Sequence, residues 1–363
     1  MLAESNAKLH SYSLSEAFKR ALFEKGFKKF RFRSMRRSAK MGESKRRRFL
    51  STGLLLLLCL LCLRTEICRA VTISDDSISL GDATWKINHY SVSVPDLDRD
   101  YSFLILNDLH LITESDEISE DQKEEVRERR DSLFIDSDGN RSVDLWGELV
   151  SELDSFKADG IIIAGDLLDF YSESNMELIK SGLNKLQTPF LYLRADHDTG
   201  RWRVDADRKS VRAAEKALCS NAPILCMEFP GFLIIGINNS TSQLTERGLR
   251  QVEKIWKTGK PLILFTHVPF QPEEEDSLAE ESRRNWGGRA LLWGKDCFYQ
   301  PAEYTTAFMD LLYGKESPVR AVFAGHLHFP FDVMLNDRVE EYVLDANFKG
   351  NISVLTVSAD QIG

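Results

Sequence analysis

Ser102-Phe103-Leu104-Ile105-Leu106-Asn107-Asp108-Leu109-His110 is an apolar run that stops abruptly on polar side chains able to bind metal. A run that is apolar at consecutive positions, rather than at alternate ones, suits a β-strand buried on both faces. The form recurs four times. Gly160-Ile161-Ile162-Ile163-Ala164 closes at Gly165-Asp166, Phe190-Leu191-Tyr192-Leu193 precedes Asp196, Leu262-Ile263-Leu264-Phe265 precedes His267, and Ala321-Val322-Phe323 precedes His326. Between these runs, 3.6-residue periodicity predicts helices over Val143–Lys157, Met176–Leu186, Val204–Leu218, Thr245–Trp256 and Ala302–Tyr313. Strands alternating with helices predict an α/β layered domain. In such sheets, polar ligands collect beyond the carboxyl ends of the strands. Five of the seven histidines fall there.

Outward from this core, Val71–Asp100 alternates polar and apolar residues and predicts one or two edge strands. Phe331–Leu335, Glu341–Leu344 and Asn351–Val357 read as antiparallel strands that complete a second sheet. No repeat or low-complexity linker divides residues 71–363, which therefore read as one domain. Two segments look inserted: the charged Leu111–Ser142, with a solvated helix around Glu120–Arg130, and Gln271–Gly294, acidic and then rich in Gly and Trp. Loops placed there would rim the site.

With 363 residues, 43% hydrophobic and 28% charged, the chain can bury a sizeable core, and its net charge of −9 hides two unlike parts. Residues 1–70 carry 17 Lys and Arg against 5 Asp and Glu, while the remainder carries 30 against 51. Within the basic part, Lys45-Arg46-Arg47-Arg48 precedes the 15-residue, Leu-rich stretch Phe49–Leu63. A basic segment before a short apolar one signals export. The stretch falls short of the roughly 20 residues of a comfortable membrane span, and Cys68-Arg69-Ala70 offers a small residue for cleavage before Val71. Residues 1–48 thus read as a basic cytoplasmic segment, 49–70 as a signal peptide or signal anchor, and 71–363 as an extracytoplasmic domain, secreted or membrane-anchored, with membrane association through 49–63. Met41 would open a leader of ordinary length, so the first 40 residues read either as an upstream misreading or as a basic tail. The acidic folded part argues against a nucleic-acid partner.

Asp108 and His110, two residues apart where a strand ends, can face the same side and reach one cation. Gly325-His326-Leu327-His328 repeats the device with two imidazoles. Asp166 follows Gly165, whose lack of a side chain permits a tight turn, and His267 comes from another strand end. A lone histidine after an apolar run is usually structural. Five of them, with three aspartates, at five successive strand ends are not. Two cations about 3.5–4 Å apart need a shared carboxylate with imidazoles and further oxygens around it. Asp166 suits the shared role.

In order and spacing over about 220 residues, Asp108-Leu109-His110, Gly165-Asp166-Leu167-Leu168-Asp169, Ala195-Asp196-His197-Asp198, His267 and Gly325-His326-Leu327-His328 resemble the calcineurin-like metallophosphoesterase superfamily. The resemblance implies a four-layer α/β/β/α sandwich with two mixed β-sheets, and hydrolysis of phosphate mono- or diesters at a dinuclear metal centre. It implies Asp108, His110, Asp166 and His328 around one metal and Asp166, Asp196, His267 and His326 around the other. The nucleophile would be a bridging hydroxide, since two cations acidify the water between them. His197 would protonate the leaving alkoxide, oriented by Asp198 or Asp169; Asp169 reads equally as a helix N-cap. The ions are divalent, and mixed N/O ligands suit Mn, Fe or Zn. Position 169 is not the tyrosine with which purple acid phosphatases bind ferric iron.

The sequence departs from the family where Asp196 stands for its Asn and Ala195 for its Gly. An ionised Asp binds a cation more strongly than Asn but removes an amide donor to phosphate. That change favours diesters over monoester dianions, unless Arg194, Arg201 or Arg203 restores the lost attraction. It also keeps open a metal-binding regulatory protein of the same fold with weak or no turnover. Four further signals are weaker. Asp136-Ser137-Asp138-Gly139-Asn140 has the look of a calcium loop, but its glycine is misplaced for one, and a turn into the next helix explains it. Asn140, Asn238 and Asn351 begin glycosylation sequons. Trp286, Trp293 and Phe298 form either an aromatic lid or packing against the rim. Cys219 and Cys226 either pair or remain thiols. The sequence leaves the oligomeric state open.

Overall fold

Strand-forming runs in this chain assemble into two six-stranded sheets laid face to face. The structure is a computed structural model, and it describes residues 76–218, 222–240 and 243–359, which belong to a unit bounded by Asp75–Gly363. The export segment and residues 1–48 lie outside the described residues, as does Cys219. Among the described residues, no helix is long and apolar enough to cross a membrane.

The first sheet is built from β1 (Ser77–Leu80), β2 (Ala83–Val94), β3 (Tyr101–Leu106), β4 (Gly160–Ile163), β5 (Phe190–Tyr192) and β12 (Asn351–Ala359), in the order β1-β2-β12-β3-β4-β5. The second contains β6 (Ile224–Phe229), β7 (Phe232–Ile237), β8 (Leu262–Phe265), β9 (Val319–Ala324), β10 (Phe331–Met334) and β11 (Glu340–Val343), in the order β10-β11-β9-β8-β7-β6. Both sheets are mixed. β3, β4 and β5 run parallel, as do β7, β8, β9 and β11, so the carboxyl ends of the motif-bearing strands share one edge within each sheet.

Phe103, Ile105, Ile162 and Leu191 from the first sheet meet Phe232, Ile234, Ile263, Phe265 and Phe323 from the second in one inter-sheet core. Alternate residues point the other way and are buried as well. On the second sheet, Ile235, Leu264 and Val322 pack against α6 (Glu246–Trp256) through Val252 and against α8 (Glu303–Tyr313) through Phe308 and Leu312. On the first, Leu104, Leu106, Ile161 and Ile163 are buried, and α2 (Ser142–Leu153) and α3 (Glu173–Leu183) flank the sheet, joined where Trp146 Nε1 donates to Leu178 O. The layers are therefore α/β/β/α. Burying each large apolar side chain stabilises the fold by roughly 1.5–3 kcal/mol, which is why uninterrupted runs occupy the sheet interiors.

The remaining helices are α1 (Lys123–Glu128), the single turn α4 (Asp196–Thr199), α5 (Arg208–Leu218) and α7 (Ser277–Trp286). The predicted helices form within a few residues of the expected bounds, with Ser172 Oγ capping α3 and Thr245 Oγ1 capping α6. The solvated helix expected around Glu120–Arg130 is instead a 3-10 turn, α1 and a π turn over Arg129–Leu133.

Two strand assignments need correction. Of the three antiparallel strands expected to complete the second sheet, only β10 and β11 join it, and β11 lies parallel to β9. β12 crosses back to lie between β2 and β3, parallel to one and antiparallel to the other. Its Leu355 and Val357 enter the inter-sheet core while Ile352 and Val354 are buried on the other face, a pattern that an interior position satisfies and an edge does not. The hairpin of β6 and β7, turning at Pro230-Gly231, was not anticipated. Asp136, the head of the calcium-like loop, accepts from Asp138 N, Asn140 N and Trp85 Nε1 and so organises a turn into α2. Of the sequon asparagines, Asn351 is buried.

Candidate metal centre

Beyond the strand ends the chain continues in hydrogen-bonded register. Asp108 N donates to Gly165 O and His110 N to Asp166 O, which locks the segment after β3 against the segment after β4. Gly325 N donates to His267 O, tying the ends of β9 and β8 in the same way. At Gly165, with φ of +97°, an added Cβ would lie 2.6 Å from His267 Nδ1. Only a glycine lets the two sheets' loops approach so closely.

Asp108, His110, Asp166, His326 and His328 all hold positive φ, between 47° and 71°, and make up five of the seven non-glycine residues among the described residues that do. For L-residues this conformation costs about 1–2 kcal/mol each, so the five together cost on the order of 5–10 kcal/mol. That rivals the net stability of a whole domain. Strain on this scale persists where a site requires it.

Potential ligand atoms lie within 4.8 Å of one another in Asp108, His110 and His328, in Asp166, Asp196, His267 and His326, and in a third, overlapping set of His110, Asp166 and His197; the first two groups share no residue. In the first, His110 Nε2 and His328 Nε2 lie 3.1 Å apart, and Asp108 Oδ1 is 3.4 Å from His328 Nε2. Asp166 Oδ2 stands 3.8 Å from His110 Nε2 and 3.0 Å from His267 Nε2, so it faces both groups. His267 Nε2 makes no hydrogen bond despite that proximity, and Asp196 Oδ1 is buried without a partner. Buried polar atoms are rarely left so, and two of them in one group of imidazoles and carboxylates fit a cation.

Charge points the same way. Burial works against protonating His267, but Asp166 and Asp108 outweigh it and push its pKa up to about 10. His197 is likewise disfavoured by burial and still rises to about 10 beside Asp166, Asp169 and Asp196. Burial takes His110 down to about 4 and His326 to about 3, which keeps each ring neutral with one nitrogen lone pair available. Burial would raise Asp108 and Asp166, yet the surrounding imidazoles hold both below the usual carboxylate range. Asp196, buried beside Asp166, is raised.

Second contacts orient these rings. His267 Nδ1 donates to Ala164 O at 3.0 Å, turning Nε2 inward. His110 Nδ1 meets Asp169 Oδ1 at 3.2 Å while Phe134 stacks on the ring at 4.3 Å between centroids. His197 Nδ1 lies 2.7 Å from Asp169 O and 3.2 Å from Asp169 Oδ1. Asp169 is therefore the carboxylate at His197, and the helix N-cap is Ser172. Asp198 faces elsewhere, accepting from Asp166 N, Leu168 N, Ala195 N and Tyr192 Oη. It binds the Asp166 and Asp196 loops together.

Three contributors were not read from the sequence. Arg129, in the first inserted segment, grips Asp169 with Nε at 2.8 Å and Nη2 at 2.6 Å. Asn239 receives His267 N and Val268 N on its Oδ1. Tyr299 places its hydroxyl 3.4 Å from His326 Nε2. No motif spacing announces any of them; a charged insertion beside an active-site loop was the only hint. The arginines expected near Asp196 are engaged: Arg203 with Glu125, Arg201 with Ala206 O. Trp293 is core, whereas Trp286 and Phe298 are exposed.

The chain is similar in structure to a dimetal phosphatase from Danio rerio, at 13% identity and a TM-score of 0.45 over 69% of this chain and 89% of that one. It is also similar to a phosphopantetheinyl hydrolase from Mycobacterium tuberculosis, at 10% identity and 0.35 over 70% and 92%. A third likeness is to the inner-membrane-complex anchor GAP50 of Plasmodium, at 9% identity and 0.36 over 68% and 72%. No curated protein sequence matches the chain. The profile of the calcineurin-like phosphoesterases matches residues 101–330, a span that runs from β3 to the edge of β10 and takes in both ligand groups. With the motifs, the paired sheets and that match in agreement, the chain belongs to the calcineurin-like phosphoesterase family.

Proposed function

We propose that the protein hydrolyses phosphate esters with two divalent ions, one held by Asp108, His110, Asp166 and His328 and the other by Asp166, Asp196, His267 and His326. The observation that carries this reading is Asp166, whose carboxylate faces both imidazole groups at 3.0 and 3.8 Å. Ions bound there would acidify water and draw charge from the phosphoryl oxygens. The residues' own part is positional and protonic. Asp169 O receives Nδ1–H of His197, so that in the imidazolium form the proton on Nε2 is the one free to pass to the departing alkoxide. Asp169 also faces His110 Nδ1, so one carboxylate sets both the proton donor and a ligand.

The test is hydrolysis of a nitrophenyl monoester and a nitrophenyl diester by protein carrying Mn²⁺ or Zn²⁺, together with metal analysis. Two ions per chain with turnover, lost on chelation and restored by metal, is the expected result. Two ions without turnover on either ester would favour the regulatory, metal-binding reading. Export through residues 45–70 remains our proposal from the sequence, checked by whether the mature chain begins near Val71.

A further inference from the structure

Five large apolar side chains are exposed among the described residues: Leu133, Trp202, Trp286, Phe298 and Met334. Two of them, Trp202 and Trp286, pack on rings of the candidate centre, and Phe298 reaches it through a neighbouring ring. Trp202 stands 5.1 Å from the His197 ring and Trp286 stands 5.4 Å from the His328 ring, between centroids. Phe298 packs edge-on against Tyr299, whose ring contacts His326. Leu133 immediately precedes Phe134, the ring stacked on His110.

These side chains are held in place while facing water. Trp286, 48% exposed, donates Nε1–H to Leu327 O at 2.9 Å. Trp202, 45% exposed, lies across Gly200, where any Cβ would collide with its indole. Exposed apolar surface that is anchored around a site marks recognition of something apolar. Arg129, Arg203 and Lys349 on this side are each paired with a carboxylate, Asp169, Glu125 and Asp345 at 3.1 Å respectively, which leaves those three less available to further anionic groups on a substrate. The two indoles stand beside different histidines, His197 and His328, which suits a flexible chain better than a flat base.

Building on the phosphoesterase reading above, we propose that the natural substrate is a lipid-like phosphate ester, whose long alkyl or acyl portion rests on Trp202 and Trp286. Because Trp202 packs on His197, the departing alcohol lies along that indole as the P–O bond breaks, and it takes the His197 Nε2 proton while water supplies the oxygen to phosphorus. Tryptophan also favours the boundary between water and lipid.

Affinity for n-decylphosphonate against methylphosphonate, measured by calorimetry below the micellar concentration, tests the rim without turnover. Seating methylenes on the rim raises affinity by on the order of fourfold each, so the decyl compound should bind at least about tenfold tighter. Trp202→Ala and Trp286→Ala should collapse that ratio toward unity, and Trp286→Phe should keep most of it. In turnover, kcat/KM for decyl phosphate should exceed that for glycerol phosphate in the wild type, chiefly through KM. Equal affinities for the two phosphonates, or equal kcat/KM for the two esters, would overturn the proposal. If neither of these esters nor the nitrophenyl diester is hydrolysed while decylphosphonate still binds selectively, the phosphoesterase reading fails and the apolar rim stands.

Discussion

The two ligand groups are supported in different ways. In the group of Asp108, His110 and His328, the imidazole of His110 leans on Asp169, which Arg129 grips from an inserted segment, and Phe134 of the same segment stacks on the ring. In the group of Asp166, Asp196, His267 and His326, His267 is set by a backbone carbonyl and by Asn239, with two polar atoms left unpartnered. One group is therefore tuned by charged side chains of a surface insertion, the other by the sheet framework itself. Insertions vary where sheets do not, so the first is the place where this chain can differ from its relatives.

The comparison breaks most visibly at the shared carboxylate. Asp166→Asn should disable both groups together, lowering turnover on the order of a thousandfold, with metal analysis showing fewer than two ions; retention of two ions would mean that Asp166 does not join the groups. Next in size, Arg129→Ala should weaken cation binding at the first group by roughly 10–100-fold and leave the second nearly intact, read by metal titration. Arg129→Lys should recover only part of the loss, because an ammonium cannot grip both carboxylate oxygens. Asp196→Asn alters the second group alone. It should shift relative kcat/KM from diesters toward monoesters, and an unchanged ratio would remove Asp196 from the account of specificity.

The smallest effect concerns Glu341, buried in β11 with its carboxylate accepting from Phe270 N, three residues past His267. Burial pushes its pKa well above the ordinary carboxyl value. The unfolded chain ionises this group near pH 4.3, so above that the native state holds the extra proton and stability falls as pH rises toward the native pKa. Glu341→Gln removes the penalty. The variant's melting temperature should gain on the wild type from pH 5 to pH 8, and a constant difference across that range would show that the group is not protonated in the fold.

Much of the site was legible because its residues terminate apolar runs, a signal carried by neighbouring positions. The family resemblance assigned seven of these residues to metals, and their side chains cluster beyond the strand ends. Asp169 and Asp198 were both candidates to face His197, and no local pattern separates them: Asp198 is turned away by three backbone donors from two loops and by the Tyr192 hydroxyl of β5. The position of β12 was misread for a related reason. Its apolar pattern shows that it is interior but not which sheet receives it, and that depends on the turn at Asn347, whose side chain accepts Asn107 N across 240 positions of sequence.

By itself the sequence determined the α/β class, the main strands, the imidazole and carboxylate inventory and the family, because hydrophobic periodicity and short motifs are local properties. Only the tertiary structure decided that Asp166 faces both groups, that five site residues sit in left-handed backbone, that Arg129 braces Asp169, and that anchored tryptophans border the centre. Those follow from contacts between segments far apart in the chain, where packing of one sheet on the other and the closure of loops over their edges choose among arrangements that local sequence permits equally.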